Sequence, residues 1–260
     1  MDFTALKRKE VGLAIAIICI IAGSGVIVYS SISKPLNGFR VSIFYDNGVQ
    51  IQSKIAAEHM FEWMGAKVTT INKTDIVNGI LNSTDLLVMP GGLWTDERCT
   101  IDGEGEMELV RQYVLNGGAY FGIEGGATYA TNFRTGLFGG VLYPDVFGAG
   151  YYLIDLDINT ESIEPYLSQA KPSYSIFYEN SGYFEIEGMS EVIPIASYEN
   201  TSYCCMIAFE SGEGRVFLSS PHPEYEEGLL RDGTDYFDRL GDPDSEWPFM
   251  LKIAEWLLTI

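Results

Sequence analysis

Three short segments hold the residues whose types and spacing could do chemistry. In Phe121-Gly122-Ile123-Glu124-Gly125-Gly126-Ala127, a glutamate flanked by glycines follows an apolar run. A strand, a tight glycine turn and then a helix form the pattern of a nucleophile elbow. There the central side chain projects from a strained bend, and small neighbours let the chains approach closely. In Ser219-Ser220-Pro221-His222-Pro223-Glu224, His222 and Glu224 could serve as a base and the carboxylate that fixes its tautomer. In Met89-Pro90-Gly91-Gly92, two glycines after a buried run leave backbone N–H groups free at the carboxyl end of a sheet, where open α/β folds bind ligands. Taken singly, each segment also reads as structure only: a strand-to-helix loop, a histidine in a proline-rich loop, a Pro-Gly turn. The second histidine, His59, sits in a helical stretch without an obvious partner and is expected to be structural.

The elements that must position these segments alternate in type. Residues 39–45 are β-rich and end in Asp46-Asn47-Gly48, a turn signal. From 49 to 64 apolar residues recur at helical spacing: Ile51, Ile55, Met60, Phe61 and Met64. Strands are expected at 66–71, 85–89 and 119–123, with a short helix over 75–81 and a longer one over 105–115 that stops at Asn116-Gly117-Gly118. This alternation implies right-handed crossovers and a parallel sheet. The second half changes character. The runs 151–158, 174–179, 183–188, 192–198, 203–209 and 215–220 are all strand-like, so antiparallel strands are expected to extend the sheet's far edge, and an amphipathic helix over 246–258 closes the chain.

Ahead of all this, residues 11–29 carry no charge and follow Lys7, Arg8 and Lys9. As a helix they would span about 28 Å, close to the hydrocarbon thickness of a bilayer. The basic flank predicts a cytoplasmic N-terminus with everything after Ser30 outside. A cleaved signal peptide has the same layout, but the apolar run is longer than the usual signal core, so an uncleaved anchor is the expectation. Sequons at Asn72, Asn82 and Asn200 agree with an exported domain.

The net charge of -20 argues against nucleic-acid binding, since such a surface repels phosphate backbones, and means that membrane attachment must be hydrophobic. At 47% hydrophobic and 13% aromatic the chain has ample material for a core, which argues against disorder. Four cysteines are too few for a disulfide scaffold. Cys19 falls in the apolar run; among Cys99, Cys204 and Cys205 one pair could be oxidised outside the cytoplasm, with the pairing open.

The three segments in this order resemble the class I glutamine amidotransferase superfamily, and most closely the domain found at the N-terminus of biotin–protein ligases. Residues 88–92 with Cys99, 101–118, 120–130, 176–184 and 212–224 carry the resemblance. It implies an elbow cysteine that attacks the amide of glutamine, a histidine that takes its proton and a glutamate that orients the histidine. It also implies an oxyanion hole from backbone N–H groups near the first Gly-Gly and just after the nucleophile. His222, Glu224, Gly92 and Gly125 match these positions; the elbow carries Glu124, where a cysteine is expected.

A carboxylate is a weak nucleophile toward amides, so ordinary glutaminase activity should be absent. Three readings of Glu124 remain open at this level: partner of a protonated His222 in a non-catalytic binding pocket, working carboxylate of a Glu124–His222 hydrolase, or metal ligand with His222 and Glu224. The first is the expectation and the hydrolase is its alternative; no metal and no cofactor are expected.

The fold expected is α/β, a flavodoxin-like, mostly parallel sheet sandwiched by helices with added antiparallel strands and preceded by one N-terminal transmembrane helix. Residues 1–10 form a cytoplasmic tail, 11–29 the anchor, 30–38 a linker and 39–260 one amidotransferase-like domain. Its pocket lies at the carboxyl ends of the strands, lined by Gly91, Gly92, Glu124, Gly125, His222, Tyr178 and Asn180. The expected partners are the membrane, through 11–29, and a small-molecule ligand.

Overall fold

The computed structural model describes residues 34–92, 104–226 and 230–259, together with the backbone of 16–22 and 25–31. Cys99 and much of the segment around it lie outside these residues. Within the expected anchor the described backbone forms an antiparallel strand pair, β1 (Ala16–Ala22) and β2 (Gly25–Ser31), rather than a helix. The β-branched residues Ile17, Ile18, Ile20, Ile21, Val26, Ile27 and Val28 explain that preference, because their stiff side chains favour extended backbone. Among the described residues no helix is long and apolar enough to cross a membrane.

From residue 40 the chain alternates as expected: β3 (Arg40–Phe44), α1 (Ile51–Met64), β4 (Lys67–Ile71), α2 (Lys73–Val77), β5 (Leu86–Met89), α3 (Glu104–Leu115), β6 (Ala119–Ile123) and α4 (Gly125–Ala130). Helix α1 ends where Gly65 turns left-handed at φ 98 and returns its N–H to the last carbonyls. Then follow β7 (Val141–Tyr143), β8 (Tyr151–Ile158), β9 (Ser173–Glu179), β10 (Tyr183–Glu185), β11 (Val192–Tyr198), β12 (Cys204–Ser211), β13 (Gly214–Ser219) and α5 (Trp247–Leu258).

Nine strands form one sheet in the order β4-β3-β5-β6-β13-β12-β11-β8-β9. The first five are parallel, and the rest join antiparallel. Strand β13 therefore lies parallel beside β6, which brings the loop after residue 219 next to the bend after residue 123. The run 183–188 departs from expectation. Only Tyr183–Glu185 is a strand, and it pairs with β7 in a separate two-stranded sheet. Gly188, at φ 81, turns the chain away.

Helices cover both faces of the parallel strands, so β5 and β6 are buried throughout. Side chains alternate between two cores. On one face Phe121 packs edge-on against Phe61 and at a tilt on Phe217, above Met60, Ile253 and Met250. On the other, Tyr120 joins Leu87, Val110, Val114 and Tyr129. Each such aromatic or aliphatic burial stabilises by roughly 1.5–3 kcal/mol.

The elbow itself needs closeness. A Cβ on Gly126 would stand 1.9 Å from the Met89 carbonyl oxygen, and one on Gly122 would stand 2.8 Å from the Gly126 carbonyl oxygen. Because Met89 O is rigid strand backbone, Gly126→Ala is expected to destabilise the protein by about 2–4 kcal/mol, read from the urea midpoint at constant m-value. An unchanged midpoint would mean that α4 can back away from β5.

Candidate functional site

Glu124 occupies the tip of the β6–α4 bend with φ 46 and ψ -105, a region that non-glycine residues enter at a cost of about 1–3 kcal/mol. Two backbone bonds hold it there: its N–H donates to Ser219 O (2.8 Å), and its carbonyl accepts from Thr128 N (2.9 Å). The side chain turns toward the loop after β5, where Oε2 accepts from the Gly92 N–H at 2.8 Å. The Gly125 N–H lies near this carboxylate and favours its charged form. Gly92 stands at φ 154, and a Cβ there would meet Gly48 O at 2.2 Å. Glycine is required because the 48–50 turn crosses directly over it.

His222 is delivered by the loop that follows β13. Its backbone N–H donates to Phe177 O (3.0 Å), tying the loop to β9. Imidazole Nδ1 meets Glu224 Oε1 at 2.9 Å, and both side chains are fully buried. Ser53 on α1 donates to the same Glu224 oxygen (2.6 Å) and accepts from the Gly91 N–H (2.8 Å), which links the Gly-Gly turn to the histidine pair. Trp247 Nε1 holds the Glu224 carbonyl at 2.9 Å. Glu124 and His222 meet over Gly91. A Cβ built there would lie 2.8 Å from His222 Cε1, 3.3 Å from Ser53 Oγ and 3.4 Å from Glu124 Oε2.

A third carboxylate faces the imidazole from β9. Glu179 Oε2 lies 3.8 Å from His222 Nε2. Glu179 accepts from Gln50 Nε2 (3.3 Å) and from the Tyr236 hydroxyl (3.2 Å to each oxygen). Burial opposes charge on His222, but the ion pair and hydrogen bond with Glu224, and then Glu179 and Glu124, outweigh it, so the pKa rises to about 9. Burial also raises the Glu124 pKa, against the pull of His222 and the two glycine N–H groups. The rings of Phe177 and Tyr225 stand 5.7 and 5.4 Å from the imidazole and add a π surface that favours its cationic form.

The residues singled out in sequence are thus brought together in large part: Gly91, Gly92, Glu124, Gly125, His222 and Glu224 share one place at the carboxyl ends of β5, β6 and β13. Tyr178 and Asn180 make their bonds elsewhere. The Tyr178 hydroxyl donates to Gly148 O and accepts from Phe147 N, while Asn180 Oδ1 accepts from Gly150 N. Both hold the 145–150 loop. Between them in sequence, Glu179 points to the opposite face of β9 and reaches the site; alternation along the strand was the available signal. Ser53, Gln50 and Tyr236 also escape the sequence reading. Ser53 could have been noticed as a lone hydroxyl on the buried stripe of α1. His59 is exposed on α1 and packs near Gly233. Cys204 and Cys205 are buried free thiols, adjacent in β12, so neither is bonded to the other. Burial pushes the Cys204 thiol up to about 12.

With this geometry in view, the chain can be compared with known proteins. Residues 40–137 match the family model described as biotin-protein ligase, N terminal. The match runs from β3 past the elbow and contains Gly91, Gly92, Glu124 and Gly125; Glu179, His222 and Glu224 lie beyond it. Among solved structures, a glutamine amidotransferase from Thermotoga maritima is similar with a TM-score of 0.59 at 12% identity, over 85% of this chain and 96% of that one. A ThuA-like protein from Bacteroides uniformis follows at TM-score 0.58 and 13% identity, over 88% and 93%. A GMP-synthase-subunit-A-like protein from Thermoplasma acidophilum gives 0.57 at 15%, over 84% and 94%. At these identities the likeness is one of fold: the domain has the glutamine-amidotransferase-like α/β architecture. The search of curated proteins found no match.

The raised pKa of His222 makes stability depend on pH. The imidazole binds its proton more tightly when folded, up to about 9 against 6.5 in the unfolded chain. Its contribution is therefore complete below pH 6.5 and lost as pH rises through about 9. The loss should be roughly 3 kcal/mol, seen as a falling denaturation midpoint over that window. His222→Gln should flatten the profile there; an equally steep profile in the variant would show that another group titrates.

Proposed function

We propose that this domain is a non-catalytic binding module built on the amidotransferase fold, in which Glu124 stands where an amidotransferase carries its nucleophilic cysteine. One observation carries the reading. The Glu124 carboxylate accepts from the Gly92 N–H and lies near the Gly125 N–H, the donors that an amidotransferase would aim at the developing oxyanion. The site thus fills with its own carboxyl group the place where a substrate carbonyl would have to lie. The alternative, a hydrolase using Glu124 and His222, is opposed by the same geometry. The Glu124 carboxylate is tied to the Gly92 N–H, and an imidazole held cationic near neutral pH cannot accept a proton as a base.

Two measurements test this. The wild-type protein should release no ammonia from glutamine; measurable turnover would sink the proposal. Glu124→Cys should place a thiol between the two N–H groups and the His222 imidazolium, lowering its pKa, so that iodoacetamide at pH 7 alkylates it at least about tenfold faster than an ordinary thiol. A variant thiol no faster than a free cysteine would mean that the remaining groups are not arranged to activate a nucleophile.

The same proposal includes a tether. The uncharged run 11–29, preceded by three basic residues, supports a single-pass anchor with the domain outside the cytoplasm. A two-stranded pair leaves its outer backbone groups unpaired, which hydrocarbon does not tolerate, so the run would cross as a helix. Full-length protein should stay with membranes through an alkaline carbonate wash, and a chain lacking residues 1–33 should be released. Full-length protein recovered in the supernatant would refute the anchor.

A further inference from the structure

Tyr178 and Asn180 make their bonds away from the elbow, and the loop they hold builds a second surface. The Tyr178 hydroxyl accepts from the Phe147 N–H (3.2 Å) and donates to Gly148 O (3.0 Å), and Asn180 Oδ1 accepts from the Gly150 N–H (2.9 Å). The Val146 N–H donates to Ser181 O (3.0 Å). The loop so fixed presents Phe147 to solvent, 41% exposed, with its ring edge-on to Tyr198 at 5.1 Å.

Beside it stands the two-stranded sheet. Leu142 and Phe184 turn inward to the core that holds Phe138, so Tyr143 and Tyr183, paired across the two strands, turn outward. Tyr143 and Tyr183 stack at 5.3 Å, Tyr183 leans on Tyr203 at 4.7 Å, and Tyr203 meets Phe147 edge-on at 6.3 Å. The four rings form a row of at most about 16 Å, the length of roughly five residues of extended chain. Tyr143 and Tyr203 are 43% and 39% exposed. The backbone beneath is pinned. A Cβ on Gly182 would stand 1.8 Å from the Tyr143 carbonyl oxygen. The Gly182 N–H donates to Ser220 Oγ (2.6 Å), and its carbonyl accepts from the Tyr198 hydroxyl (2.9 Å). Contiguous exposed apolar surface with a polar rim marks an interaction site, and rigid tyrosines give contact area at little cost in entropy.

The charge around the row decides what suits it. Glu185 shares the outward face of β10 with Tyr183, Asp145 lies in the chain between Tyr143 and Phe147, and both are exposed. The Tyr183 pKa is raised, first by desolvation and then by the Glu185 charge. Residues 135–214 carry twelve acids and one basic residue, Lys171, which is paired with Asp244. The rest of the chain has fifteen basic residues against twenty-four acids, so this half is acidic well beyond the molecule as a whole. A second copy of the chain would set like charge against like, and anionic lipids and nucleic acids are repelled as well. An arginine side chain is attracted by both features, because its planar guanidinium stacks on aromatic faces and pairs with carboxylates.

We propose that the row Tyr143, Tyr183, Tyr203 and Phe147 docks an arginine-rich segment of another protein, whose guanidinium groups lie on the rings and pair with Glu185 and Asp145. The surface is separate from the elbow, and the proposal stands or falls independently of how that site is read.

The experiment is fluorescence anisotropy of the full chain with a labelled peptide of alternating arginine and serine. Its citrulline counterpart keeps the shape and loses the charge. Ionic strength is fixed, because a net charge of -20 draws any cation toward the protein. The arginine peptide should saturate one site, and the citrulline peptide should bind at least about tenfold more weakly. Tyr143→Ser combined with Tyr203→Ser should weaken the arginine peptide about tenfold. Glu185→Gln, a change on an exposed side chain that leaves the fold intact, should weaken it about threefold. Glu62→Gln removes the same charge from the exposed side of α1, over the other core of the sheet, and should leave the affinity unchanged. No saturation, equal binding of the two peptides, affinity unchanged in the tyrosine variant, or equal losses in Glu62→Gln and Glu185→Gln would each overturn the assignment. Cellohexaose binding that the tyrosine variant abolishes, without arginine-peptide binding, would give the row to a sugar chain. A dimer in sedimentation that dissociates in the tyrosine variant would give it to a second copy, and either result would overturn the proposal too.

Discussion

An L-amino acid held at φ 46 and ψ -105 must be kept there by its surroundings, and the site depends on that constraint at Glu124. The bend persists because both sides are pinned: β6 is clamped between β5 and β13, and α4 starts at once, with Gly126 pressed onto the Met89 carbonyl. Any relaxation toward ordinary backbone would swing the carboxylate off the Gly92 N–H and away from the imidazole. Packing of the sheet and the chemistry at its edge are therefore one problem. The buried strands supply the rigidity, and the glycines supply the room.

What the bend delivers is an arrangement of charge. Glu224 behind the ring, Glu179 beside it and Glu124 above Gly91 hold His222 cationic despite full burial. In turn the cation and two glycine N–H groups partly offset the cost of burying Glu124. Each member is tolerable only because the others are present, and breaking one partner of a buried pair typically costs several kcal/mol. Ser53 extends this network to α1, so the first helix of the domain and the loop after β13 share a single carboxylate oxygen of Glu224.

The parallel half of the fold was legible because apolar runs bounded by turn residues leave few choices: 85–89 and 119–123 had to be covered strands, and Gly91-Gly92 and Gly125-Gly126 mark where they end. The elbow and the His222–Glu224 pair were readable for the same reason, as short motifs at strand ends. Several features were not. The insertion of β13 between β6 and β12 depends on long-range pairing that local pattern does not encode. The short strand Val141–Tyr143 is too brief for a periodic signal. Glu179 was passed over for its neighbours Tyr178 and Asn180, since choosing a face of β9 requires knowing which side meets the histidine. The run 11–29 is equally apolar as helix or strand, and in the described backbone its β-branched residues prevail.

The chain enters the sheet at the end opposite the elbow. Leu36 and Lys34 lie against the carboxyl end of α1 at Met64 and Gly65, β3 starts at Arg40, and Glu124 stands past the far end of β6. With five-residue strands between them, the two ends are separated by about 17 Å of sheet. Whatever grips the segment before Lys34 therefore holds the domain by its base. The edge that carries Glu124 and His222 faces away from that point of entry, so the site and the chain's approach lie at opposite ends of the same strands.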